Sequence, residues 1–377
     1  MEFKFRLTLV LAIIVATTAR SETPAPTFAP PQVASTATDD VWVPALAFET
    51  ATFEIPTDSC HSASAATLPD GRLFVVWYGG TREGARDVNI YGATLTPDGR
   101  TSEPRVLLDR ARLSRDVCRS IRKLGNPVVY AQGERLFLFV VSVSYGGWSG
   151  SSLNVATSDD GGETWSRFRR LRTTPIFNVS SLVRAEAVSR SDGGFLLPAY
   201  CEFATKYGLA LAFDASGRSV DRAKTPIAEN AQALQPTFVP LTERRALAFL
   251  RVDKGGVGVS ESLDGGATWR SRPRLPLDNP NASVAAALTD DGRLVLVGNP
   301  GDGGRSRLLV WTADPTDLTR WTEVAELENE PDCEFSYPFV TRWNGELCVV
   351  YTWKRKAIKA VNLNAILRGA TAKEETK

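Results

Sequence analysis

The sequence predicts an all-β protein folded as a six-bladed β-propeller. Three observations carry the prediction. A turn followed by a hydrophobic strand recurs six times, starting at residues 70, 133, 192, 243, 291 and 344. The copies read DGRLFVVWYGG, GERLFLFVVSVS, DGGFLLPAYCE, ERRALAFLRV, DGRLVLVGNP and NGELCVVYTW. A period of this size, with several strands per unit, suits blades arranged around an axis. An octet, SDDGGETW at 158–165, nearly repeats as SLDGGATW at 262–269. Finally, no stretch before the C-terminus keeps a helical period, and short Val-, Leu- and aromatic-rich runs alternate with Gly, Asp, Asn and Pro clusters.

The first 19 residues read as a secretory signal peptide. Lys4 and Arg6 precede a short apolar core, Leu7 to Ala16, and Thr17 and Ala19 stand at the −3 and −1 positions of a cleavage site. Export to the periplasm or medium is expected, with no membrane insertion once the signal is removed. Residues 20–40, rich in Pro, Ala, Thr and Ser, read as a flexible linker. Residues 41–365 form the propeller, and 366–377 read as a disordered tail. A monomer is expected.

Each octet suits a tight turn between strands. Asp160 can accept backbone N–H groups across its own turn. Gly162 can take a positive φ, and Trp165 can pack between sheets. Degenerate versions lie at 94–104 and 312–321. These are architectural features and receive no catalytic role.

Lys and Arg total 44 against 43 Asp and Glu, so the net charge of +1 does not suggest a nucleic-acid partner. Five cysteines leave at least one thiol unpaired. Cys201 and Cys348 sit in apolar runs and read as buried small hydrophobes. With a single His and no zinc-like spacing, neither a metal nor another cofactor is expected.

The octet S-x-D-x-G-x-T-W is the Asp-box, or BNR repeat. Beside it stand HSASAATLPDGRLFVVWYGGTREGARDV (61–88), GNPVV (125–129), QPTFVPL (235–241), LDNPNASV (277–284), GNPGDGGRSRL (298–308), EFSYPFV (334–340) and VVYTWKRKAIKAV (349–361). Together they give a chain that resembles the sialidase superfamily of six-bladed propellers over about residues 58–362. The closest resemblance is to its group of predicted sialidase-like single propellers. Retaining sialidases use a Tyr nucleophile polarised by a Glu, an Asp acid/base and three Arg that clamp the substrate carboxylate. The resemblance implies Tyr337 as nucleophile, Asp87 as acid/base and Arg251 as one clamp residue. It also shows departures. Gln235 stands where the polarising Glu is expected, His61 where the first clamp Arg is expected, and no Arg lies between Asn329 and Tyr337.

The residues themselves offer substitutes. Arg184, Arg305 and Arg355 are candidate anion binders, because a guanidinium forks onto a carboxylate. His61 could bond a ligand carboxylate or hydroxyl and gain charge near pH ~6.5. Glu83, Glu202 and Glu334 are candidate replacements for the missing Glu. Glu202 is preferred, because it ends a strand at the depth of Arg251. Trp77 and Tyr351 are candidate stacking rings for a sugar. With these residues, the resemblance implies an exported exo-sialidase-like glycosidase acting on a terminal acidic sugar of a glycan or sialoglycoconjugate. Two alternatives remain open: a carbohydrate-binding propeller without turnover, and a hydrolase or lyase for another uronic-acid-like glycan.

Overall fold

A computed structural model of the chain describes residues 27–29, 45–173, 180–226, 232–253, 256–301 and 304–374. The segment read as a signal peptide, residues 1–19, lies outside them. Six antiparallel sheets follow one another along the chain. Blade 1 holds β2 (Ser59–Thr67), β3 (Leu73–Gly80), β4 (Asn89–Leu95) and β5 (Arg105–Leu108). Blade 2 holds β6 (Lys123–Gln132), β7 (Arg135–Val143), β8 (Ser151–Ser158) and β9 (Arg169–Arg170). In blade 3 the first strand is split into β10 (Leu182–Val183) and β11 (Val188–Ser189), followed by β12 (Phe195–Glu202), β13 (Lys206–Phe213) and β14 (Ser219–Thr225). Blade 4 runs β15 (Ala233–Pro240), β16 (Ala246–Val252), β17 (Val257–Ser262) and β18 (Arg270–Leu275). Blade 5 runs β19 (Ala285–Leu288), β20 (Leu294–Gly298), β21 (Arg307–Ala313) and β22 (Thr322–Asn329).

Blade 6 closes the ring. Its strands β23 (Phe335–Trp343), β24 (Glu346–Trp353) and β25 (Ala357–Asn362) are completed by β1 (Thr50–Glu54), which pairs antiparallel with β25 from Thr50↔Val361 to Glu54↔Ala357. The fold class predicted from the sequence is therefore the observed one.

The first strand of each blade lines the axis: β2 packs on β6 and β23, and β15 and β19 continue the circle. The six hydrophobic repeats seen in the sequence are the second strands, β3, β7, β12, β16, β20 and β24. Buried on both faces, they read as continuous apolar runs. Their side chains fill the layers between blades. One such layer gathers Trp77, Phe53 and Tyr91; another gathers Phe137, Phe139, Phe195 and Phe213.

Both octets adopt one geometry. Ser158 Oγ donates to Asp160 Oδ1 at 2.7 Å and accepts from the Gly162 N–H at 2.9 Å, while Asp160 accepts the Thr164 N–H at 2.9 Å. Ser262, Asp264, Gly266 and Thr268 repeat the pattern. Thr164, Ser158 and the turn's N–H groups hold the Asp160 carboxyl down at about 2. Each octet also touches the preceding blade. Trp165 stacks on Phe74 with ring centroids 6.3 Å apart, and a Cβ on Gly266 would lie 2.3 Å from Leu196.

Two expectations are corrected. Within the segment read as a flexible linker, Phe28 is fully buried among Leu196, Phe238 and Trp269. Its N–H donates to Glu243 O at 2.7 Å, and it bridges Arg190. A benzyl side chain beside a gap between two blades gains more from burial than its short segment loses in order. The tail from 366 belongs to helix α2 (Leu363–Glu374), whose Ile366 packs on the core of blades 5 and 6. A second helix, α1 (Arg110–Val117), joins blades 1 and 2. It is capped by Asp109, which accepts the Arg112 N–H at 2.6 Å, and it ends at Cys118 with φ 52°. At two turns it is too short to show a sustained period in sequence.

Candidate active site

The innermost strands lose register at a common level. The breaks fall between His61 and Ser64, Leu124 and Pro127, Leu234 and Thr237, and Ser336 and Phe339. At three of them a non-glycine residue takes the left-handed region: Ser62 (φ 58°), Gln235 (φ 51°) and Tyr337 (φ 57°). Such bulges re-aim side chains out of the ladder. Three carry a following proline (Asn126-Pro127, Gln235-Pro236, Tyr337-Pro338), a residue that sheets accept at bulges. One end of the axis thereby receives side chains from four blades.

Tyr337 is the centre of the cluster. Its ring lies 4.2 Å from the His61 ring, with the Arg184 guanidinium 5.0 Å and the Arg305 guanidinium 5.4 Å from its centroid. Its hydroxyl accepts from Gln235 Nε2 at 3.3 Å, and the same amide donates to the Tyr200 hydroxyl at 3.3 Å. Gln235 Oε1 accepts from Arg251 Nη1 at 3.4 Å, and Arg251 Nε donates to Asn281 Oδ1 at 2.7 Å. Arg251 has no carboxylate partner among the described residues, which leaves its charge available to a ligand.

The phenol opens onto a recess of about 50 Å³ lined by Glu83, Asn126, Trp148, Tyr200, Glu202 and Gln235, among others. Burial raises the Glu202 carboxyl above its usual range. A carboxyl of raised proton affinity beside a phenol is a suitable proton acceptor. The axis also holds a much larger cavity, about 710 Å³, at its opposite end. That cavity presents the Glu186 carboxyl, which accepts from Thr341 Oγ1 at 2.7 Å, and the Tyr130 phenol, bonded to Ser189 Oγ at 2.8 Å, but its lining arginine, Arg342, is paired with Asp290 at 2.7 Å. The smaller recess is the candidate active site, because it lies beside Arg251, a guanidinium with no carboxylate partner among the described residues.

Beneath Tyr337 lies a carboxylate with three partners. Glu334 receives Arg355 Nε at 2.6 Å, Arg305 Nη1 at 3.1 Å and Ser336 Oγ at 2.7 Å. Burial pushes its carboxyl up, but Arg355 and Ser336 outweigh it and hold it at about 2. Glu334 is thus a fixed anion that orients two arginines. Arg355 also reaches Glu83 at 3.1 Å, joining the β3–β4 loop to the site.

Several sequence expectations change here. Arg184, expected to bind an anion, turns its two Nη groups to backbone carbonyls of the bulges: Ala63 at 3.1 Å, Pro338 at 2.9 Å, and Tyr337. It is a buried cation that sets the backbone under the phenol. His61 was expected to gain charge near pH ~6.5, but burial and then Arg355 push its imidazole well below that value, so it is neutral at pH 7. Its Nδ1 is buried without a partner. Trp77 and Tyr351 do not reach the site. Both lie on second strands, whose side chains face neighbouring blades. Trp77 packs on Phe53 and Tyr91, and the Tyr351 hydroxyl donates to Glu328 at 2.6 Å. Asp87 sits exposed on the β3–β4 loop that also carries Glu83. Its carboxylate accepts the Thr81 N–H at 2.8 Å and the Thr81 hydroxyl, which hold it below its usual range.

Sequence reading missed Tyr200, Asn126 and Asn281. The shared x-Pro at the bulge level was the available signal for Asn126, since it aligns with Gln235 and Tyr337.

A family model described as a BNR repeat-like domain matches residues 71–349. No curated protein matches the chain. Among solved structures, the Hadza microbial sialidase Hz136 superposes with a TM-score of 0.67 at 14% identity, covering 82% of this chain and 66% of that one. A protein of unknown function from Dyadobacter fermentans gives 0.67 at 12%, covering 83% and 98%. The intramolecular trans-sialidase from Ruminococcus gnavus gives 0.64 at 15%, covering 81% and 95%. The chain therefore spans just under two thirds of the first of these, and at such identities the likeness is one of fold.

Proposed function

The chain belongs to the BNR repeat-like domain family of sialidase-like propellers, and on that footing we propose that it is an exported glycosidase of the exo-sialidase type, removing a terminal acidic sugar from a glycan. The observation that carries this reading is the gathering of Tyr337, Glu202, Glu83 and Arg251, which no carboxylate partners among the described residues, at one end of the axis.

In the proposed reaction Arg251 holds the sugar carboxylate and His61 gives it a neutral polar neighbour. Tyr337 attacks the anomeric carbon. A phenol suits an anomeric centre that carries a carboxylate, where an anionic nucleophile would be repelled. Glu202 takes the phenolic proton through the recess, in the role that Gln235 cannot fill. Asp87, on the adjoining loop, is the acid for the leaving oxygen once sugar binding displaces Thr81, whose two hydrogen bonds keep the free carboxyl ionised, and it later activates water. A recess of about 50 Å³ holds only a water or two. Sugar binding therefore requires the Asp87 loop (81–88) or the Trp148 loop (144–150) to move outward.

The test is hydrolysis of a fluorogenic sialoside by the purified protein. Tyr337→Phe is expected to lower kcat by at least 10³-fold, on the order of 4 kcal/mol of transition-state stabilisation, while ligand affinity stays within about threefold. Equal turnover by wild type and variant would remove Tyr337 from the mechanism. One observation favours a second reading, a glycan-binding propeller without turnover. The group nearest the phenol is an amide, which supplies a hydrogen bond but accepts no proton. Binding of a sialoside without release of the fluorophore would establish that reading.

A further inference from the structure

A strongly basic wall stands outside the site. Residues 105–123 hold seven Arg and Lys against two Asp, and residues 166–172 hold four Arg and no acid. The fold brings the two stretches together. Arg167 Nε donates to Asp116 O at 2.8 Å, the Phe168 N–H donates to Asp116 Oδ2 at 3.0 Å, and Arg112 Nη2 donates to Trp165 O at 2.8 Å. Arg119 lies near enough to Arg170 for the two charges to act on each other. Between them runs an open groove of about 360 Å³ lined by Asp116, Val117, Arg167, Phe168, Arg169 and Arg170. Arg115, Arg119, Arg122 and Arg172 are exposed, and no carboxylate pairs with them among the described residues. Among the described residues, Arg105 and Arg112 form ion pairs, with Glu163 and Asp116. A net charge near zero for the whole chain makes this concentration a local one.

The wall is continuous with the site. Arg110 Nε donates to Arg86 O on the loop that also carries Glu83 and Asp87. Lys123, at the end of the basic stretch, lies 6.0 Å over the ring of Trp148, which lines the recess. We propose that this wall, between blades 1 and 2, binds a linear acidic polysaccharide whose end residue lies in the axial recess. The inference rests on the glycosidase reading only in taking a glycan as the anion. A groove of positive charge leading to a pocket fits a chain with regularly spaced carboxylates, and close guanidinium pairs suit them. A second copy of this chain is a poor occupant. Its acidic strand, β22, and the turn after it spend Glu326 on Arg307, Glu328 on Lys359 and Glu330 on Lys354, leaving little charge to donate.

The experiment compares binding of polysialic acid and polygalacturonate to the full protein and to the triple variant Arg115→Ser/Arg119→Ser/Arg172→Ser, at 50 and 200 mM salt. Thermal melts check that the variant is folded. A duplex DNA and phosphatidylglycerol vesicles form the other arms. The variant is expected to bind at least one of the two polysaccharides tenfold or more weakly, with a shallower salt dependence. Binding of the sialic acid monosaccharide should stay within twofold. DNA and vesicles should bind at least tenfold more weakly than the better polysaccharide. Unchanged polysaccharide binding by the variant overturns the proposal, and so does binding of DNA or vesicles as tight as that of the polysaccharides. Absence of sialoside turnover with variant-sensitive polysaccharide binding sinks the hydrolase reading alone. Turnover without such binding sinks the wall alone.

Discussion

Replacing Gln235 by Glu would set a carboxylate within hydrogen-bond distance of the Tyr337 and Tyr200 hydroxyls and of Arg251. Under the glycosidase reading Gln235→Glu raises kcat on a fluorogenic sialoside at least tenfold, because the phenol gains an adjacent proton acceptor. A fall in kcat would show that the amide is the working group. Three groups also give the protein a distinctive pH profile. His61 is held well below its ordinary 6.5, so below about that pH the unfolded chain binds a proton the folded one does not, and stability falls as pH drops. Glu334, held at about 2, adds a further loss as pH falls from 4.5 towards 2. Glu186 acts in the opposite sense. Burial raises its carboxyl from 4.5 to about 7, so the folded state binds the extra proton and stability falls as pH rises through that window. Melting curves between pH 4 and 8 check this: His61→Gln should flatten the slope below 6.5, and Glu186→Gln should remove the loss up to 7. Of these residues, His61, Gln235 and Tyr337 were legible because each sits in a quotable motif. Tyr200 was not, because its role depends on the left-handed turn at Gln235. Arg184 was noticed but misjudged, since sequence does not tell a guanidinium facing solvent from one facing carbonyls.

Between strands, the turns that fasten each blade to its predecessor are more numerous than the octets. Asp214, Ser216, Gly217 and Arg218 form a shorter version in blade 3. Asp214 Oδ1 accepts the Ser216 and Arg218 N–H groups at 3.0 Å, and Gly217 (φ 74°) lies against Phe137 of blade 2. A methyl group there would stand 2.4 Å from Phe137 Cε1 in a backbone conformation that disfavours any side chain. Gly217→Ala should therefore cost roughly 2–4 kcal/mol, visible as a lowered midpoint in denaturant. A cost below about 1 kcal/mol would mean that the contact gives way. DASGRS was invisible as an octet because it lacks the Thr-Trp ending, and only the neighbouring Phe137 reveals its equivalence. The strand repeats were legible for the opposite reason. Second strands are buried on both faces and stand out as unbroken apolar runs. The axial strands alternate, carry bulges and read weakly, so Trp77 and Tyr351 were assigned to the axis when they belong between blades.

At the scale of the ring, the six-fold architecture was readable from spacing, whereas the course of the N-terminal segment was not. Phe28 stands alone in a Pro- and Ala-rich stretch, and nothing local marks it as core. Its burial between blades 3 and 4 predicts that Phe28→Ala destabilises the protein by about 3–5 kcal/mol. A chain beginning at residue 45 should lose a similar amount; melting both proteins beside the full chain tests this, and an unchanged midpoint would contradict it. The neighbours of Phe28 also fix a direction. Glu243, Ser191 and Gly266 all lie in turns on the side of the disc away from Tyr337, and Ala29 lines the large cavity that opens there. Strand β1 starts on that side too, where Ala47 bonds Pro97. Any tether joined ahead of Thr27, whether a lipid, a retained leader or a fused partner, would therefore leave from the back of the wheel. A protein moored that way would point Tyr337 outward, toward the sugars of whatever surface lies opposite.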